Sequence, residues 1–495
     1  MIELIFGIFA SGALGISATL LLDLLVRRGS FPRSFASGVV SSLTYLAFLF
    51  LAWNMWENIG IGGVQSVSVD STPLGSTLMV STLGLYVFGI AAILGLIISI
   101  YSTRYLARYR NAALFNSLLI LVGLSVFGVV VAGDLLTLFI FWEGMSICAY
   151  GLVAFRKNQW DALEAGIKYL ILAGAGSMTA LLGIALVYNI AGTLNLQTLA
   201  DLGLISNTGL LLALALIVAG FGVEAAIVPL HTWVPDAYPA APSPASALLS
   251  GIITAIGSFT IIRIIAGSFL TQSLTNTLQP ILVVLAVLTM LIGNLSAFGQ
   301  DDIKRLLAFS SVAQVGYIML GISTFSAGGV SAGIFHIWNN AFLKSLFFLL
   351  AGVVTFRIGT RSLKDMAGIA RKSPIIGVLV SANALAMTGV PPFGLFWSEI
   401  LIVLSSIQIG RPLLTIGAVI MLFNIAFSIA YYFRIIRRIT FDQPSEYLTR
   451  REIGPSSALM LAPCIVLLAI SLLTGFFPDT FYQPVLTGVN TLLGH

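Results

Sequence analysis

Charge is what this chain lacks most. Only 9% of its 495 residues are Asp, Glu, Lys or Arg, while 58% are hydrophobic; a soluble domain carries roughly 25% charged residues. Mean hydropathy is +1.02. A water-soluble protein of this composition would expose patches that aggregate, so most of the chain must face lipid or its own neighbours. Cysteine is almost missing as well. Cys148 and Cys464 lie in apolar stretches without metal-ligand or redox spacing, which leaves them packing roles. There is no dinucleotide fingerprint, phosphate loop, iron–sulfur cysteine cluster or paired-histidine pattern for haem. No cofactor, metal or catalytic residue is therefore expected in this chain, and its energy must come from a partner or an ion gradient. The net charge of +5 is scattered over short loops, which argues against nucleic acid. The apolar run through Leu25 has no basic leader and no small-residue cleavage site, so it reads as a retained first span.

What is present is a succession of apolar runs long enough to cross a bilayer. Fourteen are expected, over 2–26, 34–53, 77–100, 112–131, 134–155, 163–190, 208–229, 243–267, 279–299, 304–323, 328–356, 374–407, 411–433 and 456–476. No polar linker divides them, so residues 1–495 form a single all-α membrane domain. The seventh span breaks near Pro229 and Pro235, and the twelfth at Pro391-Pro392. Broken helices free backbone groups that need burial or water, and so they gather at ion and substrate sites.

Loop charge sets the orientation. With the N-terminus outside, the cytoplasmic loops hold Arg27, Arg28, Arg33, Arg104, Arg108, Arg110, Arg156, Lys157, Lys304, Arg305, Arg357, Arg361, Lys364, Arg371, Lys372, Arg434, Arg437, Arg438, Arg450 and Arg451. These are 20 of the 24 basic residues, which places both termini outside a cell membrane. Spans four to eight (112–267) and nine to thirteen (279–433) each make a set of five, with the broken member in the same place. An odd-numbered repeat must insert its second copy upside down, so two inverted five-helix repeats are expected.

A charge deep in a span costs several kcal/mol and is rare unless paired or functional. Five such residues are expected: Glu143, Lys168, Glu224, Lys344 and Glu399. Two of them are lysines in a chain with only six. Buried amines and buried carboxyls both move towards titration near neutral pH, so together they suit a proton or cation relay. A structural alternative is a neutral Glu143–Lys168 pair between adjacent spans. His336 lies eight residues before Lys344, about two turns away on the same face, and is expected as its partner. His231, at the end of the broken seventh span, is equally well read as structural or as part of the site. Asp301, Asp302, Lys304 and Arg305 read as a solvated turn and helix cap, and Trp142, Trp233 and Trp397 as packing.

GDLLTLFIFWEGMSICAYGL, KYLILAGAGSMTALLGIALVY, PLHTWVPDAYPAAPSPASALLSGI, DDIKRLLAFSSVAQVGYIMLG, HIWNNAFLKSLFFLLAG and GVPPFGLFWSE resemble the antiporter-like subunits of respiratory complex I. Mrp cation/proton antiporters and membrane-bound nickel–iron hydrogenases share this family. The resemblance runs from about residue 75 to 435 with the segments in order, and GVPPFGLFWSE is most similar to the hydrogenase and formate hydrogenlyase-type branch. It implies that Glu143 modulates the fifth span's neighbouring lysine, Lys168. It also implies that Lys344 and His336 belong to a central hydrophilic axis and that Glu399 is the exit group. It further implies neighbouring antiporter-like subunits in the membrane and peripheral redox subunits carrying iron–sulfur clusters, with nickel–iron or flavin centres. No long amphipathic helix is expected after residue 476, so the lateral arm of some relatives is missing.

Two departures stand out. Glu224 occupies the place where the family usually has the lysine of the broken helix. Ala255 replaces a lysine of the eighth span, leaving Thr254 as the polar group nearby; Asn340 also replaces a second histidine. A carboxylate at 224 would attract Lys168 and trap both charges, or would accept a cation; closure of this half-channel is the favoured expectation. The overall expectation is a proton- or Na⁺-translocating subunit of a membrane oxidoreductase. Its alternatives are a subunit of an Mrp-type Na⁺/H⁺ antiporter and a structural subunit with a degenerate pathway.

Overall fold

The computed structural model of the protein describes residues 1–26, 33–68, 76–202, 208–269, 272–450, 454 and 457–494. Arg27, Arg28 and Arg451 of the expected cytoplasmic loops lie outside them. Among the described residues, twelve helices are long and apolar enough to cross a membrane. The seventh and twelfth spans complete fourteen, each in two pieces. The chain runs α1 (Ile2–Val26), α2 (Arg33–Ile59), α3 (Thr82–Tyr105), α4 (Ala112–Val131), α5 (Leu135–Val153), α6 (Trp160–Ala191) and the short α7 (Leu196–Asp201). The broken seventh span follows as α8 (Thr208–Glu224) and α9 (Val234–Ala240). The eighth span is α10 (Ser243–Leu248) and α11 (Thr254–Ser268), joined by a π-helical turn over Leu249–Ile253. Then come α12 (Gln272–Phe298), α13 (Ile303–Ile322), α14 (Ala327–Ile358), the short α15 (Ile369–Lys372) and the twelfth span as α16 (Pro374–Ala386) and α17 (Gly394–Gln408). The chain closes with α18 (Pro412–Ile436), α19 (Glu446–Thr449), α20 (Ala458–Phe476) and α21 (Pro478–Leu493).

One detail corrects the sequence reading and another adds to it. Residues 77–81 are not the start of the third span but strand β2 (Thr77–Ser81), paired antiparallel with β1 (Val64–Ser68), Val64 opposite Ser81. The strand is held from outside its own segment: Thr77 N–H donates to Asp134 Oδ2 at 2.9 Å, and its carbonyl accepts from Gly133 at 2.7 Å. Helix α3 then starts on the Ser81 cap, whose Oγ accepts from Gly84 N–H at 3.1 Å. Secondly, the tail after residue 476 forms α21, a helix of 16 residues.

The eighth span with α13 and α14 forms the buried centre, while α1, α18 and α20 lie at the periphery. Around this centre the same corner is built twice. Asp134 caps α5, accepting from Thr137 N–H at 2.7 Å. Leu135 N–H and Leu196 N–H bond to the carbonyls of Leu194 and Gly133, tying the end of α6 to the start of α5. Arg263 then donates to the carbonyls of Val129 and Ala132 at the end of α4. At the second corner Asp302 caps α13, accepting from the N–H groups of Lys304 and Arg305. Ile303 N–H and Leu363 N–H bond to Arg361 and Asp301 carbonyls, and Arg434 donates to Gln300 O at 2.8 Å. The buried Arg263 and the half-buried Arg434 thus satisfy helix-end carbonyls that the helices leave open.

Candidate functional site

Helix α14 carries His336, Asn340 and Lys344 at four-residue intervals, hence on one face. All three are buried. Opposite them α13 presents Ser310, Gln314 and Tyr317. Lys344 Nζ donates to Ser310 Oγ and, at 3.2 Å, to the Tyr432 hydroxyl. Ser310 and Tyr432 share a 2.5 Å hydrogen bond, and Tyr431 OH donates to Asn294 Oδ1 at 2.8 Å. Asn294 in turn donates to the Tyr317 hydroxyl at 3.2 Å and to Asn424 Oδ1 at 2.7 Å. His336 bonds through Nε2 to Gln314 Oε1 at 2.7 Å and through Nδ1 to Ser398 Oγ at 3.0 Å. So His336 and Lys344 are not bonded to each other; one face of α13 joins them. The neighbour of Ser398 is Glu399, which is buried and faces Tyr317 and Tyr431. It lies against the break of the twelfth span, where a Cβ on Gly389 would overlap its carboxylate.

The second cluster surrounds the break of the seventh span. Helix α8 ends at Glu224, 1% exposed, and neither carboxylate oxygen has a hydrogen-bond partner. Glu143, Ser146 and Tyr169 face it. One Glu143 oxygen and the hydroxyls of Tyr150, Tyr169 and Tyr238 are also buried without partners. Their rings form a file: Tyr150 to Tyr169 at 4.7 Å, Tyr169 stacked on Trp233 at 3.9 Å, and Trp233 to Tyr238 at 5.8 Å. Trp233 Nε1–H donates at 2.8 Å to the Val223 carbonyl, which also accepts from Ala226 N–H at 3.0 Å, so this tryptophan does more than pack. Trp397 does the same in the twelfth span, donating to Gly475 O at 2.8 Å.

Buried hydroxyls lie between the two clusters. Tyr238 lies near Glu224 and Thr254, its buried hydroxyl without a hydrogen-bond partner among the described residues. Thr254 Oγ1 donates to the Ser250 carbonyl at 3.1 Å, and Ser250 Oγ meets Ser311 Oγ at 2.9 Å. Ser311 adjoins Ser310, the partner of Lys344. The π-helical turn at 249–253 sets the register that turns Ser250 and Thr254 to this side, a common device at functional sites. Hydroxyls both donate and accept and can rotate between the two, whereas an ammonium only donates and must lose its proton to pass it on. Hydroxyls placed between amine, imidazole and carboxyl groups suit stepwise proton movement.

Other expected residues sit differently. Lys168 is not deep in the core. It lies two turns into α6 on the outer face, half exposed, bonded to Glu164 at 2.9 Å and Asp236 at 3.1 Å. It therefore pairs with neither Glu143 nor Glu224, and the pair that would trap Glu224 is not formed. His231 is half-buried in the break with Nδ1 unpartnered, and no hydrogen bond or ion pair links it to Glu224. Lys304 is no solvated turn residue: it is buried, with Nζ donating to Ala241 O at 2.7 Å. Sequence reasoning missed Tyr150, Tyr169, Tyr238, Ser250, Ser310, Gln314, Tyr432 and Ser398. The one available signal was the four-residue spacing of Ser250 from Thr254.

Among the described residues no group of three His, Cys, Asp or Glu could hold a metal ion. Fourteen spans among the described residues, two of them broken beside the buried carboxyls of Glu224 and Glu399, define the class: a polytopic membrane protein. The chain belongs to the NADH:quinone oxidoreductase/Mrp antiporter transmembrane family, whose pattern matches residues 132–448. It is 32% identical over 433 residues to NADH-quinone oxidoreductase subunit N of Desulforudis audaxviator, covering 84% of each chain. A subunit of the archaeal membrane-bound sulfane sulfur reductase complex superposes with a TM-score of 0.86 at 27% identity, over 98% of this chain and 97% of that one. A subunit of the Mrp complex from Dietzia sp. DQ12-45-1b gives a TM-score of 0.86 at 23% identity, over 99% and 97%; at that identity the likeness concerns the fold.

Proposed function

We propose that this chain is an ion-translocating, antiporter-like subunit of a multisubunit membrane oxidoreductase, moving H⁺ or Na⁺ while a peripheral arm transfers electrons. The observation that carries it is a row of buried polar groups running from Glu224 past Ser250 and Ser311 to Lys344, His336 and Glu399, hydrogen-bonded in short pieces: Ser250 with Ser311, Lys344 with Ser310, and His336 with Gln314. Unpartnered carboxyl and phenol groups in a buried core are costly to keep for structural reasons alone. Glu143, Glu224, Lys344, His336 and Glu399 are the proposed carriers, with Thr254 accessory. Lys168 and Asp236 would couple the outer face to a neighbouring subunit.

The sequence relative named above is a subunit of a quinone oxidoreductase, which favours a redox complex over an Mrp-type antiporter. Iron–sulfur and flavin centres, with nickel–iron in a hydrogenase-like assembly, would then reside in partner subunits. The two corners at Asp134 and Asp302 are separated by five spans and so lie on opposite sides of the membrane. This supports reading 112–267 and 279–433 as inverted copies, with both chain termini outside. Purification from native membranes in mild detergent tests the assignment. Co-purifying redox subunits, and ion uptake into vesicles when electrons are supplied, are expected. A complex free of redox subunits whose transport runs on an ion gradient alone would instead identify an Mrp-type antiporter.

A further inference from the structure

At the end of the bundle away from the β-hairpin, a cavity of about 270 Å³ opens between α3, α6, α9 and α14. Arg108, Arg156, Lys304 and Arg361 line it, with Asp161 the one acidic residue in its wall. Arg361 is bridged to Asp302 at 2.9 Å. Four cations against these two carboxylates leave a local charge of +2. An adjoining cavity adds Arg110 and Lys157 and no acid.

Backbone carbonyls at the end of α9 occupy part of this charge. Arg156 donates to Ala240 O and Ala241 O, Lys304 to Ala241 O and Arg361 to Pro239 O. They do not exhaust it. The buried Arg156 Nε has no partner, and an ammonium has three donors, of which Lys304 uses one. Among the described residues Arg108 reaches the Phe356 ring, its guanidinium carbon 3.5 Å from the centroid. Beneath the cations lies an aromatic layer, with Tyr105 against Tyr109 and Phe356 at 6.3 and 5.8 Å and Phe155 against Tyr109 at 5.8 Å. Exposed Trp160 stands beside it at the start of α6.

We propose that this cavity binds a phosphate group, supplied by the headgroup of an anionic phospholipid. Forked guanidinium donors and a buried ammonium match the tetrahedral oxygens of a phosphate. Cations stacked on an aromatic layer reproduce the order of headgroup and interface in a bilayer. Basic pockets between helices on the cytoplasmic side are suited to such lipids. The site is separate from the polar row, and its occupation would tie the loop after α5 to the end of the broken seventh span.

The test uses the intact complex reconstituted in phosphatidylcholine vesicles, with or without phosphatidylglycerol, and a separate arm with inorganic phosphate. An arginine-specific dicarbonyl reagent is applied and modification of Arg108 and Arg156 is read by peptide mass spectrometry. Phosphatidylglycerol is expected to slow modification of both residues several-fold, phosphatidylcholine not at all. In Lys304→Gln, which keeps a donor for Ala241 O, the concentration needed for protection should rise about fivefold, as for one lost headgroup cation. Protection by inorganic phosphate alone, equally sensitive to Lys304→Gln, would keep the phosphate site and overturn its lipid source. Equal modification rates in all arms, or protection unchanged in Lys304→Gln, would overturn the site.

Discussion

Replacing Lys344 by Met removes the one cation at the centre of the row while keeping nearly the same length of side chain. Two hydrogen bonds from the ammonium are lost, to Ser310 and Tyr432, each worth about 1.5–3 kcal/mol when the donor is charged. Removing a buried charge returns a desolvation penalty of several kcal/mol, and Ser310 and Tyr432 remain bonded to each other at 2.5 Å. The two contributions nearly cancel, so the variant should assemble with little change in thermal stability. Transport should not survive. From residue 344 to residue 336 along α14 is about 12 Å, and a charge crossing the centre of a span without a host costs about 3 kcal/mol. That slows passage by about 150-fold. Reconstituted complex supplied with electrons, and a dye or electrode reporting ion uptake, measures this directly. Lys344→Arg separates a carrier from a fixed charge, because arginine stays protonated and should also block. Wild-type ion-to-electron stoichiometry in an assembled Lys344→Met complex would refute the reasoning.

Glu224→Gln should likewise lose most transport through the first cluster, because Lys168 is held by Glu164 and Asp236 and does not trap the carboxylate; normal transport in the assembled variant would mean that this half is closed. Gly389→Ala places a side chain at φ +68°, costing about 1–2 kcal/mol, and pushes the Glu399 carboxylate aside. Lower thermal stability together with weaker ion uptake is expected, and an unchanged melting temperature would count against the contact. Cysteine introduced at Arg437 should react with a membrane-impermeant reagent only from the cytoplasmic side; labelling in intact cells would reverse the proposed topology.

The amino-acid sequence alone determined the membrane setting, the number of spans and the two breaks. Apolar run length, loop charge and proline act locally, so no knowledge of neighbours is needed to read them. Lys344 was legible for the same reason: an ammonium at the middle of a 32-residue apolar helix admits few explanations. Lys168 and Lys304 were not. Both lie two turns or less from a helix end, where a side chain can turn inward or outward, and only packing decides. These helices are apolar on every side, so hydrophobic periodicity cannot tell a core face from a lipid face. The tyrosines and serines of the row were hidden for the same reason. Ser310 and Tyr432 come from different spans and meet Lys344 only once α13, α14 and α18 are packed together, as Ser250 of the eighth span meets Ser311. The sites of charge were thus written in the chain, and the path between them was decided by which helix faces met.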